Sequence, residues 1–164
     1  MPTEPLDAID VRILEILQKE GRLTNLELAE RVGLSPSPCL RRLRRLEGDG
    51  YIAGYGARLN RSKVGLGLMA FISVKVAKQG EADLENFRKT ISSMPEVIAC
   101  YITTGEHDVL LHVLTADLEE YRSFTLEKLL KTVPSVHSIN SSFVIETVKE
   151  DAVLPLRAGR TRKP

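Results

Sequence analysis

Apolar residues recur at helical spacing through the first third of the chain. Leu6, Ile9, Ile13, Ile16 and Leu17 form one such set, with Asp7 and Asp10 in a first turn where the helix dipole favours negative charge and Gly21 as the closing residue. Thr24-Asn25-Leu26-Glu27 has the capping-box pattern, and Leu28, Ala29 and Val32 follow before Gly33, a left-handed stop. Only Gly33 and Leu34 separate this short helix from Ser35, the N-cap of a third helix whose first helical residue is Pro36. A supporting helix followed by two helices joined through a tight glycine turn predicts a helix-turn-helix.

The third helix, Ser35 to Glu47, is amphipathic. At about 100° per residue from Leu40, the positions Leu43 and Leu46 fall on the same side as Leu40, while Arg41 and Arg45 fall opposite. The spacing thus predicts Arg41 and Arg45 pointing straight away from the core. Arg42 and Arg44 flank them, and Ser37 and Pro38 lie on that side one turn earlier. The helix start, with Ser35 at its cap, presents amide hydrogens outward, where a phosphate can bind. Taken alone, such a basic face fits a solvated surface as well as a DNA-reading one; the preceding turn and caps favour DNA.

Beyond Glu47, glycines punctuate short β-prone runs between Tyr51 and Asn60, which predicts a small hairpin or wing, with Arg58, Arg61 and Lys63 available to a DNA backbone or simply to solvent. From Leu68 the period changes. Leu68 to Ala77 reads as a strand, and Glu81 to Ser93 as a helix with Leu84, Phe87 and Ile91 inward. Val97 to Thr104 and Val109 to Thr115 read as strands joined by a turn, and Asp117 to Lys131 as a helix using Leu118, Tyr121, Phe124, Leu129 and Leu130. Val136 to Val148 reads as a last strand. The order βαββαβ predicts a ferredoxin-like sandwich with helices on one sheet face. The other face needs a cover. Phe71, Val74, Val76, Tyr101, Ile102, Val113, Phe143 and Ile145, on one side or the other, predict pairing with a second copy, hence a homodimer. The fold class is α+β: a winged helix-turn-helix domain with its linker (1–63), a ferredoxin-like domain (64–150) and a basic tail (151–164), of which Arg157 to Pro164 is open to disorder or to DNA.

Composition sharpens this picture mainly through charge. The net +1 of 164 residues conceals seven basic against two acidic side chains in residues 35–63, a balance of +5, and eight basic against twelve acidic in residues 65–150, a balance of −4. The tail adds +3. A basic segment beside an acidic domain suits a nucleic-acid contact attached to a separate module. No apolar run is long enough for a membrane span, and the N-terminus lacks the basic and apolar regions of an export signal, so the expected location is the cytoplasm. Cys39 and Cys100 read as small buried hydrophobes. His107, His112 and His137 are scattered without metal-ligand spacing, and no catalytic constellation emerges, so neither a metal, a cofactor nor an enzyme is expected. The rival reading is a ferredoxin-like amino-acid sensor or metabolic enzyme whose helical N-terminus serves only assembly.

Over residues 6 to 150 the chain resembles the Lrp/AsnC (feast/famine) transcriptional regulators. The residues that carry the resemblance are Leu6-Asp7 with Asp10 and Ile13-Leu14, Leu26 to Leu34, Ser35-Pro36-Ser37-Pro38-Cys39 with Arg42, Leu43 and Leu46-Glu47, Gly50-Tyr51-Ile52 with Gly54-Tyr55, Leu59-Asn60, and Thr104-Gly105 with Asp108. The resemblance implies a double-stranded-DNA-binding regulator of amino-acid metabolism, built from dimers that assemble into tetramers, octamers or larger discs. For DNA, the face of the third helix makes Ser35, Ser37, Pro38, Arg41, Arg42 and Arg45 the expected contacts, with Arg41 and Arg45 at base edges and Ser37 and Arg42 nearer to phosphates. The resemblance also implies an amino-acid effector between dimers, held near Thr104, Gly105, His107 and Asp108, with Ser138 and Ser141 lining the cleft. Chemically the turn suits this: Gly105 admits close approach, Asp108 can meet an ammonium group, and exposed amides can meet a carboxylate. From spacing alone, Gly105 and Asp108 serve equally well as a plain hairpin turn.

Overall fold

The computed structural model describes residues 5–77, 81–133, 136–150 and 153–158, the side chains of residues 81–84 excepted. They form two compact units, residues 1–58 with 149–164 and residues 59–148.

The first unit contains α1 (Ala8–Leu17), α2 (Asn25–Val32) and α3 (Pro36–Gly48). Each start has a local cause. Asp7 caps α1 in a reciprocal box, accepting from the Asp10 N–H at 2.8 Å while the Asp10 carboxylate accepts from the Asp7 N–H at 3.1 Å. Thr24 and Glu27 do the same for α2. Gly33, at φ 73°, ends α2 in the left-handed conformation, so the chain turns within two residues into α3. Asn25 Nδ2 donates to the Pro36 carbonyl at 2.9 Å, tying the two helix starts together. The core comprises Leu6, Ile13, Leu14, Leu28, Ala29, Val32, Cys39 and Leu46, with the small Ala29 among the packed helix residues. Gly21 does not close α1. The helix ends at Leu17 with Gln18 as a right-handed cap, and Gly21 lies beyond it.

Two expectations for this unit change. Residues 52–60 form no paired strand, so the expected hairpin does not occur among the described residues. The side chains that a hairpin would pair across are engaged elsewhere: Tyr55 Oη donates to Glu47 at 2.9 Å, and Arg58 donates to the Glu150 carbonyl at 3.0 Å. The tail is not a free appendage in its described part. Leu154 pairs through its backbone with the Gln18 amide (Leu154 N–H to Gln18 Oε1, 2.5 Å; Gln18 Nε2 to Leu154 O, 3.3 Å), and Leu156 packs on the helical core. The rest of the basic tail, 159–164, lies outside the described residues.

The second unit contains β1 (Leu68–Val76), α4 (Glu81–Ser92), β2 (Val97–Ile102), β3 (Val109–Thr115), α5 (Leu118–Ser123) and β4 (Val136–Phe143). The helix that begins as α5 continues through a π-helical stretch, Phe124–Leu129, into a short α6 (Leu130–Thr132). The sheet is antiparallel in the order β2-β3-β1-β4, the ferredoxin-like arrangement. Its inner face supplies Ala70, Ile72, Val74, Val109, Leu111 and Val113 to a core closed by Phe87, Ile91, Tyr121, Phe124 and Leu129. Leu118, at the first position of α5, and Leu130, which follows the wider π-helical winding, are exposed instead of packed. Leu84 falls outside the described side chains. Of the eight apolar residues assigned to one side of the sheet or the other, Phe71 and Tyr101 take the outer side, opposite His112 and Leu110, while Val74 and Val113 are in the core.

Candidate nucleic-acid interface and ligand turn

The buried side of α3 is fixed by Cys39 and Leu46, both fully buried, rather than by Leu40, which is half-buried. Centred on that pair, the outward direction at about 100° per residue falls on Ser37, Arg41 and Arg44. These three are exposed, and Arg41 and Arg44 form no ion pair with a described residue. Ser35 is exposed as well, while Pro38 is half-buried.

Arg45 does not point straight outward as the spacing predicts. Its guanidinium turns back toward α1 and pairs with Asp10. Arg42 does the same, donating to Asp10 Oδ1 at 2.8 Å and to Asp7 Oδ2 at 2.6 Å. Both lie on the shoulder of α3 that faces α1, and Asp10 there is only 1% exposed. Hydrogen bonds donated to Asp10 and then to Asp7 hold the Arg42 guanidinium pKa above its usual value. For Asp7, partial burial acts upward but is outweighed by the Asp10 N–H and the Arg42 guanidinium, so its pKa lies below the ordinary carboxylate value. These five ionic side chains lie around a cleft of about 400 Å³ lined by Pro5, Asp7, Asp10, Arg41, Arg42 and Arg45.

The start of α3 is also plainer than expected. Pro36 and Pro38 have no N–H, and the Cys39 N–H is used by the Ser35 carbonyl at 3.3 Å, so Ser37 alone among these offers an amide to an anion. Ser35 makes no side-chain cap bond. The reason is the same, since the usual N3 donor is a proline.

In the second unit the turn between β2 and β3 is tightly built. Thr103 N–H donates to the Asp108 carbonyl at 2.9 Å and Thr103 Oγ1 to the His107 carbonyl at 3.0 Å, with Gly105 at φ 116°. Asp108 N–H donates to the Val74 carbonyl at 3.0 Å, and Asp108 Oδ2 accepts from Val76 N–H at 2.8 Å, where the β1–β4 register shifts. Lys75 Nζ reaches the Glu106 carbonyl at 2.5 Å. Thr104 and Gly105 are exposed; His107 and Asp108 are half-buried. Ser138 is exposed and stands opposite Lys75, at the same end of the sheet as this turn. Ser141 does not join it. Opposite Ile72, it lies on the helix-covered face, where its hydroxyl accepts from Tyr121. Among the described residues no cluster of three potential metal ligands occurs, and no helix is long and apolar enough to cross a membrane.

A helix-turn-helix with an outward basic helix, joined in sequence to a ferredoxin-like domain, defines the class: a DNA-binding protein with a second, separate module. The comparisons agree. Residues 6–53 match the winged helix-turn-helix DNA-binding family and residues 69–154 match the Lrp/AsnC ligand binding domain. The chain is 43% identical over 145 residues to the leucine-responsive regulatory protein of Rhizobium meliloti (strain 1021), covering 88% of this chain and 92% of that one. It is 40% identical over 151 residues to the proline dehydrogenase transcriptional activator of Rhizobium radiobacter, covering 92% and 96%. A transcriptional regulator from Neisseria meningitidis, solved in complex with L-Met, superposes with a TM-score of 0.88 at 44% identity, covering 92% of this chain and 96% of that one. The chain belongs to the Lrp/AsnC family of DNA-binding transcriptional regulators, which are not enzymes.

Proposed function

We propose that the protein reads a loosely palindromic DNA site through the exposed face of α3 and adjusts its assembly to an amino acid bound at the β2–β3 turn. The observation that carries the first half is that Arg41, Arg44 and Ser37 share one exposed face of α3, Arg41 and Arg44 without an ion pair to a described residue. Arg41 is the candidate for base edges, with Ser35, Ser37 and Arg44 nearer to phosphates.

The effector reading rests on the turn's chemistry and on the L-Met bound by the Neisseria regulator. Asp108 Oδ2 is used by Val76, while Oδ1 has no hydrogen-bond partner among the described residues and suits an α-ammonium group. Thr104, Gly105, His107 and Ser138 supply backbone and hydroxyl groups for a carboxylate at the same end of the sheet. Ser141 acts from behind the sheet, through Tyr121.

The outer sheet face, with Phe71 stacked on His112 at 4.7 Å and the exposed Tyr101, joins two copies, and such dimers assemble further into tetramers or octamers in the cytoplasm. Two α3 helices then meet half-sites about one helical turn apart, or a multiple of that. Effector binding shifts dimer-dimer geometry by a coupling of about 1 to 3 kcal/mol.

The test is selection of bound duplexes from a random pool, followed by footprinting with and without each amino acid. A recurring two-fold motif that is lost in the R41A variant, with the oligomer intact, is the expected result. An R41A variant with unchanged DNA affinity refutes the reading.

A further inference from the structure

We propose that Asp10, a residue of the supporting helix, decides which arginines of α3 reach DNA, by holding Arg42 and Arg45 back from the groove. The inference rests on the reading of α3 as the DNA-contacting helix. Four arginines lie within five positions of that helix, at 41, 42, 44 and 45, with identical chemistry. The structure separates them into two pairs.

Asp10 is 1% exposed and uses both carboxylate oxygens: Oδ1 accepts from Arg42, while Oδ2 accepts from Arg45 and from the Asp7 N–H. A carboxylate removed from water depends on such partners, and taking one away leaves a buried charge uncompensated. A phosphate on the DNA surface gives a guanidinium an ion pair that remains hydrated and screened. Moving Arg42 or Arg45 from Asp10 to phosphate therefore exchanges a buried pairing for an exposed one, and the exchange is unfavourable. Asp7 reinforces the hold on Arg42 at 2.6 Å.

Arg41 and Arg44 have no such tether. The DNA-facing charge of α3 is thereby limited to two of its four guanidiniums. Limiting it curbs sequence-independent attraction, which scales with the number of phosphates neutralised, and leaves base reading by Arg41 to dominate discrimination. Asp10 is a positioning residue in this account.

The D10N variant tests it. Asparagine keeps the size and one oxygen that can accept from the Asp7 N–H, removes the charge, and puts an NH2 that cannot accept from a guanidinium in place of the other oxygen. Affinity for the selected operator and for a random duplex is measured across salt from about 50 to 200 mM. Released guanidiniums steepen the slope of log affinity against log salt by about 0.9 each, so by about 1 to 2 in total. The random duplex is bound more tightly and the ratio of operator to random affinity falls. A role confined to capping lowers thermal stability and weakens both duplexes with the slope unchanged, and that result overturns the proposal.

Arginine side-chain NMR of the wild-type protein gives a second measurement should the D10N variant fail to fold. On operator binding, the guanidinium signals of Arg42 and Arg45 stay in place while those of Arg41 and Arg44 shift; movement of Arg42 or Arg45 overturns the proposal. Wild-type protein lacking operator preference overturns this inference and the reading of α3 together, whereas operator preference with a slope indifferent to D10N overturns the inference alone.

Discussion

Replacing Asp108 separates the structural and ligand-binding duties of the β2–β3 turn. In the structure its Oδ2 accepts from Val76 N–H at 2.8 Å, closing the strand end where the β1–β4 register shifts. A hydrogen bond to a charged group contributes about 1.5 to 3 kcal/mol when buried. Asp108 is only half-buried, so water replaces part of the lost bond, and a D108A variant is expected to lose about 1 kcal/mol. A D108N variant keeps an acceptor for Val76 and should lie within about 0.5 kcal/mol of the wild type. Effector binding behaves differently, because an ammonium group needs the charge. Loss of a charge-assisted bond of about 1.5 to 3 kcal/mol corresponds to a roughly 10- to 150-fold weaker affinity for both variants. Urea unfolding reads the first quantity and calorimetric titration with L-methionine or L-leucine reads the second. A D108N variant that binds the amino acid as tightly as the wild type refutes the assignment of Asp108 to the ammonium group.

Gly33 and Gly48 have open space where a Cβ would be built, but only Gly33 has positive φ, at 73°. G33A should cost about 1 to 2 kcal/mol, whereas G48A at the end of α3 should stabilise by about 0.5 to 1 kcal/mol; equal effects in thermal unfolding contradict the turn geometry. Truncation after Lys149 removes the Leu154–Gln18 pair and the packing of Leu156, about 1 kcal/mol in all, and should lower the melting transition of the helical unit by about 4 to 8 °C, with no change meaning that the tail does not hold it. The Tyr55 pKa is raised from 10.0 to about 12, first by burial and then by Glu47, so ultraviolet titration should show a step near 12 that Y55F abolishes. Because the folded value is the higher one, this contribution to stability is complete below about pH 10 and lost as pH rises toward 12. A titration with no step near 12, or with a step there that Y55F leaves in place, refutes it.

Much of this architecture is written locally. Ser35-Pro36 marks the start of α3, Thr24 with Glu27 marks α2, and the change of period at Leu68 opens the βαββαβ domain. Where sequence reading misplaced residues, the cause lies in tertiary context. The centre of the buried face of α3 depends on Cys39 being deeper than Leu40, and that moved Arg45 from the outward face to the Asp10 side. Asp7 and Asp10 are visible as first-turn acids, but their pairing with an arginine of a helix some 30 residues on depends on how the helices cross. Ser138 and Ser141 carried a usable signal: three residues apart in one strand, they must face opposite sides of the sheet, as they do. The π-helical stretch and the return of Leu154 and Leu156 to α1 have no comparable local signature.

The account stands on the outward face of α3, and a crystal structure of the protein on its selected operator tests it most directly. Arg41 at base edges in the major groove of each half-site, Ser37 and Arg44 at the flanking phosphates, and Arg42 and Arg45 still on Asp10 is the predicted arrangement. A complex in which α3 lies outside the groove, with the duplex held by some other surface, contradicts it.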